Sequence, residues 1–287
     1  MLVSLNLVTK LAEPVTDFSS ESCCRALWEN LKSIGKFHAE YPGSVVWDRE
    51  NLFMYAHGSP HPYAQGVWHS DLSEENADEV IDEVLHYFKV RNLPCWWLFG
   101  NETKPPDLTD RLKSRGFFNS GNMTYMAADL RKISFKVPEI EGFKIYEVQT
   151  ESELKTYLKI WAIGYGHPAF LGENQYDKLI EKPLTHLFKQ SKLYLGYLGD
   201  KPVATSRLYI GAGASGLYWV TVIPEARGKG LGTQMSLRPL KAGLDAGYPL
   251  GVLDSTDMGY PLYKKIGFKE YFRSPVYIWL PNQTSNK

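Results

Sequence analysis

One stretch of the sequence decides the fold: Trp219-Val220-Thr221-Val222-Ile223-Pro224-Glu225-Ala226-Arg227-Gly228-Lys229-Gly230-Leu231-Gly232. It begins as an apolar, β-branched run, which is typical of a buried strand and which ends at a proline. An arginine and three alternating glycines follow, and the next residues have helical spacing. Glycines let successive backbone N–H groups converge, and the positive N-terminal end of a helix favours an anion. The sequence therefore predicts a backbone loop that binds a phosphate or pyrophosphate.

Two common phosphate-binding loops do not fit this spacing. The dinucleotide fingerprint G-x-G-x-x-G requires a glycine where Thr233 stands. The P-loop pattern G-x-x-x-x-G-K-[ST] does not occur in the chain. The pattern present is R-x-x-G-x-G behind a strand, formed by Arg227, Gly230 and Gly232.

A second motif lies downstream, in residues 253–268. Leu253-Asp254-Ser255 predicts the end of a strand, Tyr260 to Ile266 a short helix, and Gly267-Phe268 a helix stop followed by a new strand. A tyrosine, Tyr263, precedes the Gly-Phe pair by a few residues. In this order, the two motifs resemble the two signatures of the GNAT acetyltransferase superfamily.

The resemblance implies an α/β (α+β) fold with two GNAT-like domains, each a mixed, mostly antiparallel sheet flanked by helices. Residues 136–287 are expected to form the catalytic domain. Their periodicity predicts strands over 143–148, 192–198, 202–210, 217–222, 250–254 and 268–280. It also predicts helices over 151–163 and 175–187, the second interrupted by Pro183, and a helix after the glycine loop. Pro239 is expected to kink that last helix or end it early.

Residues 1–135 repeat this plan less clearly and are expected to form a degenerate GNAT-like domain. The pattern predicts helices over 20–38 and 76–89 and strands over 44–48, 52–56, 66–69 and 95–99. Residues 108–117 end in Gly-Phe, as residues 263–268 do. Five acidic residues stand where a glycine loop would be, and they would repel a pyrophosphate: Asp71, Glu74, Glu75, Asp78 and Glu79. We therefore expect no CoA in this half.

The resemblance also implies which residues bind acetyl-CoA as cosubstrate. The backbone amides of residues 228–232 would bind the pyrophosphate, and the main chain of Val220, Thr221 and Val222 would pair with the pantetheine arm. That main chain would also offer an N–H to the thioester oxygen. Arg227 would add positive charge near the phosphates, or serve as an ordinary surface arginine. The implied set is completed by the loop and first helical turn: Gly228, Lys229, Gly230, Leu231, Gly232 and Thr233.

For the chemistry, Tyr263 matches the family position that protonates the departing thiolate; its alternative is core packing. The general base is left open between Tyr218 and Asp254, on two strands expected to splay around the thioester, and His167 or Glu173 in a loop. A chain of water molecules is a further alternative. Thr256 is expected to cap the following helix, or to contact CoA. The loop over 165–173 is expected to help recognise the acceptor.

Composition sets further limits. The chain has 287 residues, of which 44% are hydrophobic and 22% charged, as in ordinary globular proteins. Residues 1–130 carry 11 Lys and Arg against 18 Asp and Glu, and the remainder carries 21 against 14, so the second half attracts anions. The three cysteines are expected to be reduced thiols. His57, His61 and His69 are too irregularly spaced to predict a zinc site, so no metal is expected.

We expect a cytoplasmic N-acetyltransferase that transfers an acetyl group to a primary amine of a small molecule, peptide or protein. No basic run predicts a nucleic-acid partner, no apolar run approaches the roughly 18 residues of a membrane span, and no leader peptide is expected. Monomer and homodimer remain open. The alternatives are an acyltransferase that uses a longer acyl-CoA and a protein that binds or senses acyl-CoA, or acts as a scaffold, without turnover.

Overall fold

The structure is a computed structural model that describes residues 12–41, 43–58, 65–100, 104–166 and 184–281. Its strands are β1 (Val45–Arg49), β2 (Leu52–Ala56), β3 (Gly66–Ser70), β4 (Cys95–Leu98), β5 (Phe118–Asp129), β6 (Phe143–Glu147), β7 (Ser191–Leu198), β8 (Lys201–Gly211), β9 (Ala214–Val222), β10 (Leu250–Ser255) and β11 (Lys269–Trp279). Its α-helices are α1 (Ser20–Ala39), α2 (Ala77–Lys89), α3 (Leu108–Ser114), α4 (Glu151–Gly164), α5 (Leu184–Leu187), α6 (Leu231–Asp245) and α7 (Tyr260–Ile266). Most of the helix expected over 175–187 lies outside the described residues.

The described residues divide into two compact units. The C-terminal unit comprises those within 1–30, 126–254 and 261–269, and the N-terminal unit those within 31–125, 255–260 and 270–287. These units do not coincide with the two sequence halves, 1–135 and 136–287. The division into a degenerate and a catalytic half therefore stays a prediction about the sequence.

In the C-terminal unit the strand order is β10-β9-β8-β7-β6. Strands β6 to β9 are successively antiparallel, whereas β9 and β10 are parallel. A two-residue turn at Gly199 and Asp200 joins β7 to β8, as expected, and Gly199 adopts a positive φ of 60°. Helix α4 begins with a reciprocal cap: Thr150 Oγ1 accepts from the Glu153 amide, and the Glu153 carboxylate accepts from the Thr150 amide.

Helices pack on this sheet through alternating side chains. Leu208 lies in one buried cluster with Leu231 and Met235 of α6. Its neighbour Arg207 points the other way, because successive side chains of a strand face opposite sides. The Arg207 guanidinium lies 4.6 Å from the ring centre of Trp219, whose ring in turn lies 5.7 Å from that of Trp161 in α4. The glycine loop and β9 therefore lie between α6 and α4, both of which pack on this sheet.

Helix α6 contains Pro239 and still continues to Asp245. The helix therefore does not end early, and the other expected effect of Pro239, a kink, stays a prediction. Proline at this position removes only the amide that would bond to the carbonyl of Met235. Pro239 itself is buried among the apolar residues of the helix, so packing supports the turn that lacks this hydrogen bond.

In the N-terminal unit the strand order is β1-β2-β3-β4-β11. Strands β3 and β4 are parallel, and the other pairs are antiparallel. Helix α2 buries one apolar face on this sheet, and its start is fixed by Ser73 and Asn76, each of which accepts a hydrogen bond from the other's amide. One cluster of buried residues in this unit includes Leu52, Met54, Val67, Ile81, Val84, Leu85, Phe88, Trp97, Leu112 and Tyr277.

Strands β5 and β11 do not lie entirely in the units that their positions in the sequence suggest. Strand β11, which closes the chain, pairs antiparallel with β4, with Tyr277 opposite Trp97. The end of β5, from Met126 onward, belongs instead to the C-terminal unit, where the Leu130 amide donates to the Pro249 carbonyl at 2.8 Å. Mixed, mostly antiparallel sheets flanked by helices confirm the predicted fold class.

Candidate active site

The glycine loop follows β9 through one turn of 3-10 helix, Pro224–Ala226. Gly228 and Gly230 have φ angles of 78° and 80°, in the left-handed region that side chains disfavour. Helix α6 begins at Leu231, so the amides of its first turn have no partner within the helix, apart from that of Thr233, which donates to the Gly230 carbonyl. Residues 227–230 are exposed to solvent. The loop therefore presents backbone donors and a helix N-terminus to an incoming anion.

The space around these two glycines is open. Within the described residues, no atom lies within 4 Å of the position that a Cβ on Gly228 would take. A Cβ on Gly230 would meet Ile140 at 3.5 Å, which is ordinary van der Waals contact. Glycine is thus required here by the backbone conformation and by nothing that crowds it from the protein side.

Arg227 holds the loop to the elements beneath it. Its Nε donates to the Val222 carbonyl at 3.0 Å, and its Nη2 donates to the Gly164 carbonyl at 2.8 Å. Gly164 ends α4 so close to β9 that an added Cβ would lie 2.0 Å from Oγ1 of Thr221. Arg227 therefore ties the loop, the end of β9 and the end of α4 together, which the sequence did not indicate. Its expected proximity to phosphate stays a prediction.

Strands β9 and β10 separate where the expected thioester site lies. Their parallel ladder pairs Ser215 with Gly251 and Gly216 with Val252, and no further pair is formed between the described residues of the two strands. Beyond this point Leu217–Val222 and Leu253–Asp254 continue without pairing to each other. A gap between two strands exposes their backbone N–H and C=O groups to a ligand. The expected splay is present in the structure.

Asp254 and Tyr263 lie near each other at the C-terminal end of β10. Burial raises the pKa of the Asp254 carboxyl to about 6. Tyr263 is 9% exposed, and its pKa is raised by burial and then by the negative charge of Asp254, while a hydrogen bond with the Ser236 side chain opposes this. Ser236 is fully buried and donates to the Gly232 carbonyl at 2.8 Å, so it links Tyr263 to the first turn of α6.

Tyr165, at the end of α4, belongs to the same group of side chains. Burial of its hydroxyl raises its pKa above the usual range, and the charges of Tyr263 and Asp254 raise it further. The residue as a whole is 40% exposed. Its ring lies 5.6 Å from that of Trp161. Sequence reasoning placed Tyr165 in the acceptor loop but gave it no contact with the catalytic candidates.

The Tyr218 hydroxyl makes a hydrogen bond to a buried residue of α1. Its hydroxyl donates to Oδ1 of Asn30 at 2.8 Å, and Asn30 is fully buried. The amide nitrogen of Asn30 donates to the carbonyl of Gly211 at 2.6 Å. This chain of bonds ties α1 to β9 and gives Tyr218 a structural contact; its service as a base stays untested.

The remaining candidates are placed as follows. His167 and Glu173 lie outside the described residues. Thr256 is not the N-cap of α7, contrary to expectation, because the helix begins four residues later and only the Thr256 carbonyl accepts bonds from the amides of Gly259 and Tyr260.

Within the described ranges, no group of three His, Cys, Asp or Glu side chains is arranged to hold a metal ion. Cys23, Cys24 and Cys95 do not form disulfides.

The acidic stretch between β3 and α2 is engaged by arginines of α3. Arg111 Nη1 donates to the Glu74 carbonyl at 3.0 Å and to the Asp78 carboxylate at 2.8 Å. Arg115 pairs with Asp78 at 2.8 Å and with Asp82 at 2.6 Å. Ion pairs with the chain's own arginines therefore surround the start of α2, the position that corresponds to the glycine loop. Across the described parts of the chain, no helix is both long and apolar enough to cross a membrane.

Comparison with known proteins gives a consistent result for the fold. No protein-family model matches the sequence, and no curated protein matches it. Among solved structures, a GCN5-related N-acetyltransferase from Kribbella flavida is similar, with a TM-score of 0.61, 14% identity, and coverage of 92% of this chain and 96% of that one. A second, from Sphaerobacter thermophilus, has a TM-score of 0.59 and 13% identity and covers 94% and 95%. A tandem GNAT protein from the clavulanic acid biosynthesis pathway has a TM-score of 0.56 and 14% identity and covers 94% and 98%. Likeness at this level of identity establishes the fold.

Proposed function

Since the chain has the GNAT fold, we propose that it is an acetyl-CoA-dependent N-acetyltransferase that acts on a primary amine. One observation carries this proposal. The ladder between β9 and β10 ends at Gly216 and Val252. The unpaired end of β9 leads to the glycine loop before α6, and the unpaired end of β10 contains Asp254, which interacts with Tyr263. This arrangement supports a site for an extended thioester that carries a phosphate.

The binding part of the proposal rests on the backbone. The donors of residues 228–232 and the charge of Lys229 favour the pyrophosphate, and the free edge of Val220–Val222 favours the amide groups of the pantetheine arm. Arg227 and Thr233 contribute by fixing the loop from its two ends. A longer acyl group remains the main alternative for the donor, because the backbone contacts are shared by all acyl-CoA thioesters.

In the proposed reaction, the amine nitrogen forms a bond to the thioester carbonyl carbon and the C–S bond breaks. Asp254 takes a proton from the ammonium or the attacking amine, and Tyr263 gives its proton to the departing sulfur. The two groups assist each other. The negative charge of Asp254 is one cause of the raised pKa of Tyr263, so protonation of Asp254 removes that cause and makes the phenol a stronger acid. The proton donor is therefore strengthened as the leaving group departs.

Asp254 is the better supported base of the four candidates. A carboxyl with a pKa of about 6 is ionised at neutral pH and is still basic enough to accept a proton. The hydroxyl of Tyr218 is already used to donate to Asn30. Asp254 also follows directly from the last paired residues of β10, at the mouth of the gap.

Replacing Asp254 by asparagine tests this assignment. We expect kcat/KM of the wild type to rise as the pH passes about 6, because the ionised form is the active base. The substitution Asp254→Asn is expected to lower kcat/KM by about a hundredfold and to remove this limb of the profile. A variant that keeps the wild-type pH profile would contradict the assignment.

Asp254→Asn is expected to lower activity but to raise the free energy of unfolding at neutral pH. The folded-state pKa of Asp254 is higher than its ordinary value of 3.8, so between about pH 4 and 6 the folded state binds more protons than the unfolded state. The free energy of unfolding therefore decreases as the pH rises through this window. Asp254→Asn is expected to be more stable than wild type at pH 7, by about 3 kcal/mol at most. Thermal unfolding at pH 4 and pH 7 measures the difference.

For the first sequence half we propose that no CoA is bound. Arg111 donates to the Glu74 carbonyl and to the Asp78 carboxylate, and Arg115 pairs with Asp78, so arginines already contact the start of α2. The exposed carboxylates of this acidic stretch would also repel a pyrophosphate. This half is proposed to have a structural function or to help recognise the acceptor.

The decisive experiment is turnover of acetyl-CoA against a panel of small amines and N-terminal peptides, followed by thiol release. Thiol release that depends on one class of amine is expected, with longer acyl-CoA donors as a parallel series. Tight CoA binding without amine-dependent release from any donor would contradict the enzyme and favour an acyl-CoA sensor or scaffold.

A further inference from the structure

Strand β9 contains a bulge at the point where it leaves β10. Along the ladder with β8, Thr205 lies opposite Thr221 and Arg207 lies opposite Tyr218. Two residues of β9, Trp219 and Val220, therefore face the single residue that separates Thr205 from Arg207. Such a bulge turns backbone groups away from the regular ladder.

The bulge places Trp219 in a backbone conformation that is rare for a residue with a side chain. Its φ is 56°, in the left-handed region. Such conformations persist only where the surroundings hold them, and they concentrate at functional sites. The ring of Trp219 is held between the Arg207 guanidinium at 4.6 Å and the Trp161 ring at 5.7 Å.

The backbone of the bulge is held separately, by Thr205. This residue is fully buried, and its hydroxyl donates to the Trp219 carbonyl at 3.0 Å. The peptide between Trp219 and Val220 is planar and trans, so its C=O and its N–H point in opposite directions. Because the carbonyl is bonded to the Thr205 hydroxyl, the Val220 N–H points away from that hydroxyl.

At the bulge, the edge of β9 that is not paired with β8 borders the gap between β9 and β10. Strand β9 lies between β8 and β10, and its ladder with β10 has already ended at Gly216 and Val252. A backbone N–H of the bulge, turned out of the regular ladder, can therefore reach the space between the separated strands. A fixed N–H in such a position stabilises negative charge that develops on a carbonyl oxygen.

We propose that Thr205 is a positioning residue for the reaction, because its hydroxyl fixes the Trp219–Val220 peptide so that the Val220 N–H polarises the thioester carbonyl. This inference rests on the proposed acyltransferase function and assigns a task to a residue outside the glycine loop and outside the acid–base pair. Thr205 does not contact the substrate; it acts through the peptide that does.

The test compares Thr205→Val, which keeps the shape of the side chain and removes the hydroxyl, with Thr205→Ser, which keeps the hydroxyl. Ser215→Ala is the matched control, since the Ser215 hydroxyl is also buried in β9 and donates to a backbone carbonyl, that of Tyr248, at 2.9 Å. The main readout is the infrared stretching frequency of the carbonyl of bound 13C-labelled acetyl-CoA. A hydrogen bond to the oxygen lowers this frequency.

In the wild type we expect the frequency of the bound carbonyl to be lower than in solution. Thr205→Val is expected to lose most of this shift and to lower kcat by about tenfold, with the KM for acetyl-CoA nearly unchanged. Thr205→Ser is expected to restore both. The Ser215→Ala control is expected to lower the melting temperature by an amount similar to that for Thr205→Val and to leave the carbonyl shift in place.

The outcomes separate this inference from the proposed function. If wild-type protein binds acetyl-CoA and shifts its carbonyl, and Thr205→Val shifts it equally, then Thr205 does not position the donor. If Thr205→Val and Ser215→Ala lose the shift to the same degree, the effect is one of general stability, which also contradicts the inference. If the wild type itself does not bind acetyl-CoA, the proposed function fails before Thr205 is tested.

Discussion

Gly230→Asp is expected to lower the affinity for acetyl-CoA at least about a hundredfold, which corresponds to roughly 2.7 kcal/mol. Gly230 immediately precedes α6 and adopts a φ of 80°. A carboxylate there lies about 5 Å from a pyrophosphate with two negative charges, and at an effective dielectric constant near 40 the repulsion amounts to about 3 kcal/mol. The wild type is expected to bind acetyl-CoA in the micromolar range, as is usual for such substrates.

The substitution is expected to leave the fold intact. The new Cβ would meet Ile140 at an ordinary contact distance of 3.5 Å, and Asp is among the residues that best tolerate the left-handed conformation. Gly230→Asn is the matched control, because Asn has the same shape and no charge. A difference between Asp and Asn that shrinks as salt is added identifies the effect as electrostatic.

A second control places the same charge elsewhere. Gly247 also has a positive φ, of 91°, and among the described residues no atom lies within 4 Å of its Cβ position. Gly247→Asp is expected to bind acetyl-CoA as the wild type does. Calorimetry gives the stoichiometry in the same experiment: one CoA per chain is expected in the wild type. Equal affinity in the wild type, Gly230→Asp and Gly247→Asp would contradict the proposal that the glycine loop binds CoA. Two CoA per chain would contradict the proposal that the first half binds none.

The glycine loop could be predicted because its signal is local. Alternating glycines behind a strand and before a helix specify a conformation within a few residues, and the structure gives Gly228 and Gly230 the expected positive φ angles. The hairpin turn at Gly199 was predictable for the same reason. Proline gave a less reliable signal, because the packing around Pro239 compensates for the hydrogen bond that it removes.

The partners of β5 and β11 could not be predicted in the same way. Strand β11 matches the strand expected over 268–280, whereas β5 was not predicted, and a local pattern contains no information about which sheet accepts a strand. Residues 269–279 follow a motif of the C-terminal half and nevertheless pair with β4. Strand pairing between residues far apart in sequence is decided by global packing, which local periodicity does not report.

Candidate site residues could be named from the sequence where a motif marks them, whereas contacts between side chains could not be foreseen. Tyr263 and Asp254 stand at positions that the motif marks. Thr205 looks like any threonine in a strand, and only its bond to the Trp219 carbonyl gives it a task. The structural contact of Tyr218 was hidden as well, since Asn30 lies 188 residues away in sequence.

Tyr263→Phe is expected to lower kcat by tenfold or more, or about 1.4 kcal/mol or more of transition-state stabilisation, and to leave acetyl-CoA affinity within about twofold. The phenol is protonated at neutral pH, because burial and the charge of Asp254 both raise its pKa. The same enclosure opposes a free thiolate, so the leaving sulfur needs the proton that Tyr263 holds. Phenylalanine keeps the ring, whose centre lies 6.2 Å from that of Phe268, and removes only the donor.

Tyr248→Phe provides the matched control for this loss. Tyr248 is buried to the same degree as Tyr263, each 9% exposed, but it lies in the turn between α6 and β10, away from the gap. Both variants are expected to lose a similar, small amount of thermal stability, whereas only Tyr263→Phe slows turnover. Proton transfer to sulfur also predicts a solvent deuterium isotope effect on kcat that shrinks in Tyr263→Phe. Equal turnover in the two variants would show that Tyr263 is a packing residue, since the loss of its hydroxyl would then have no chemical consequence.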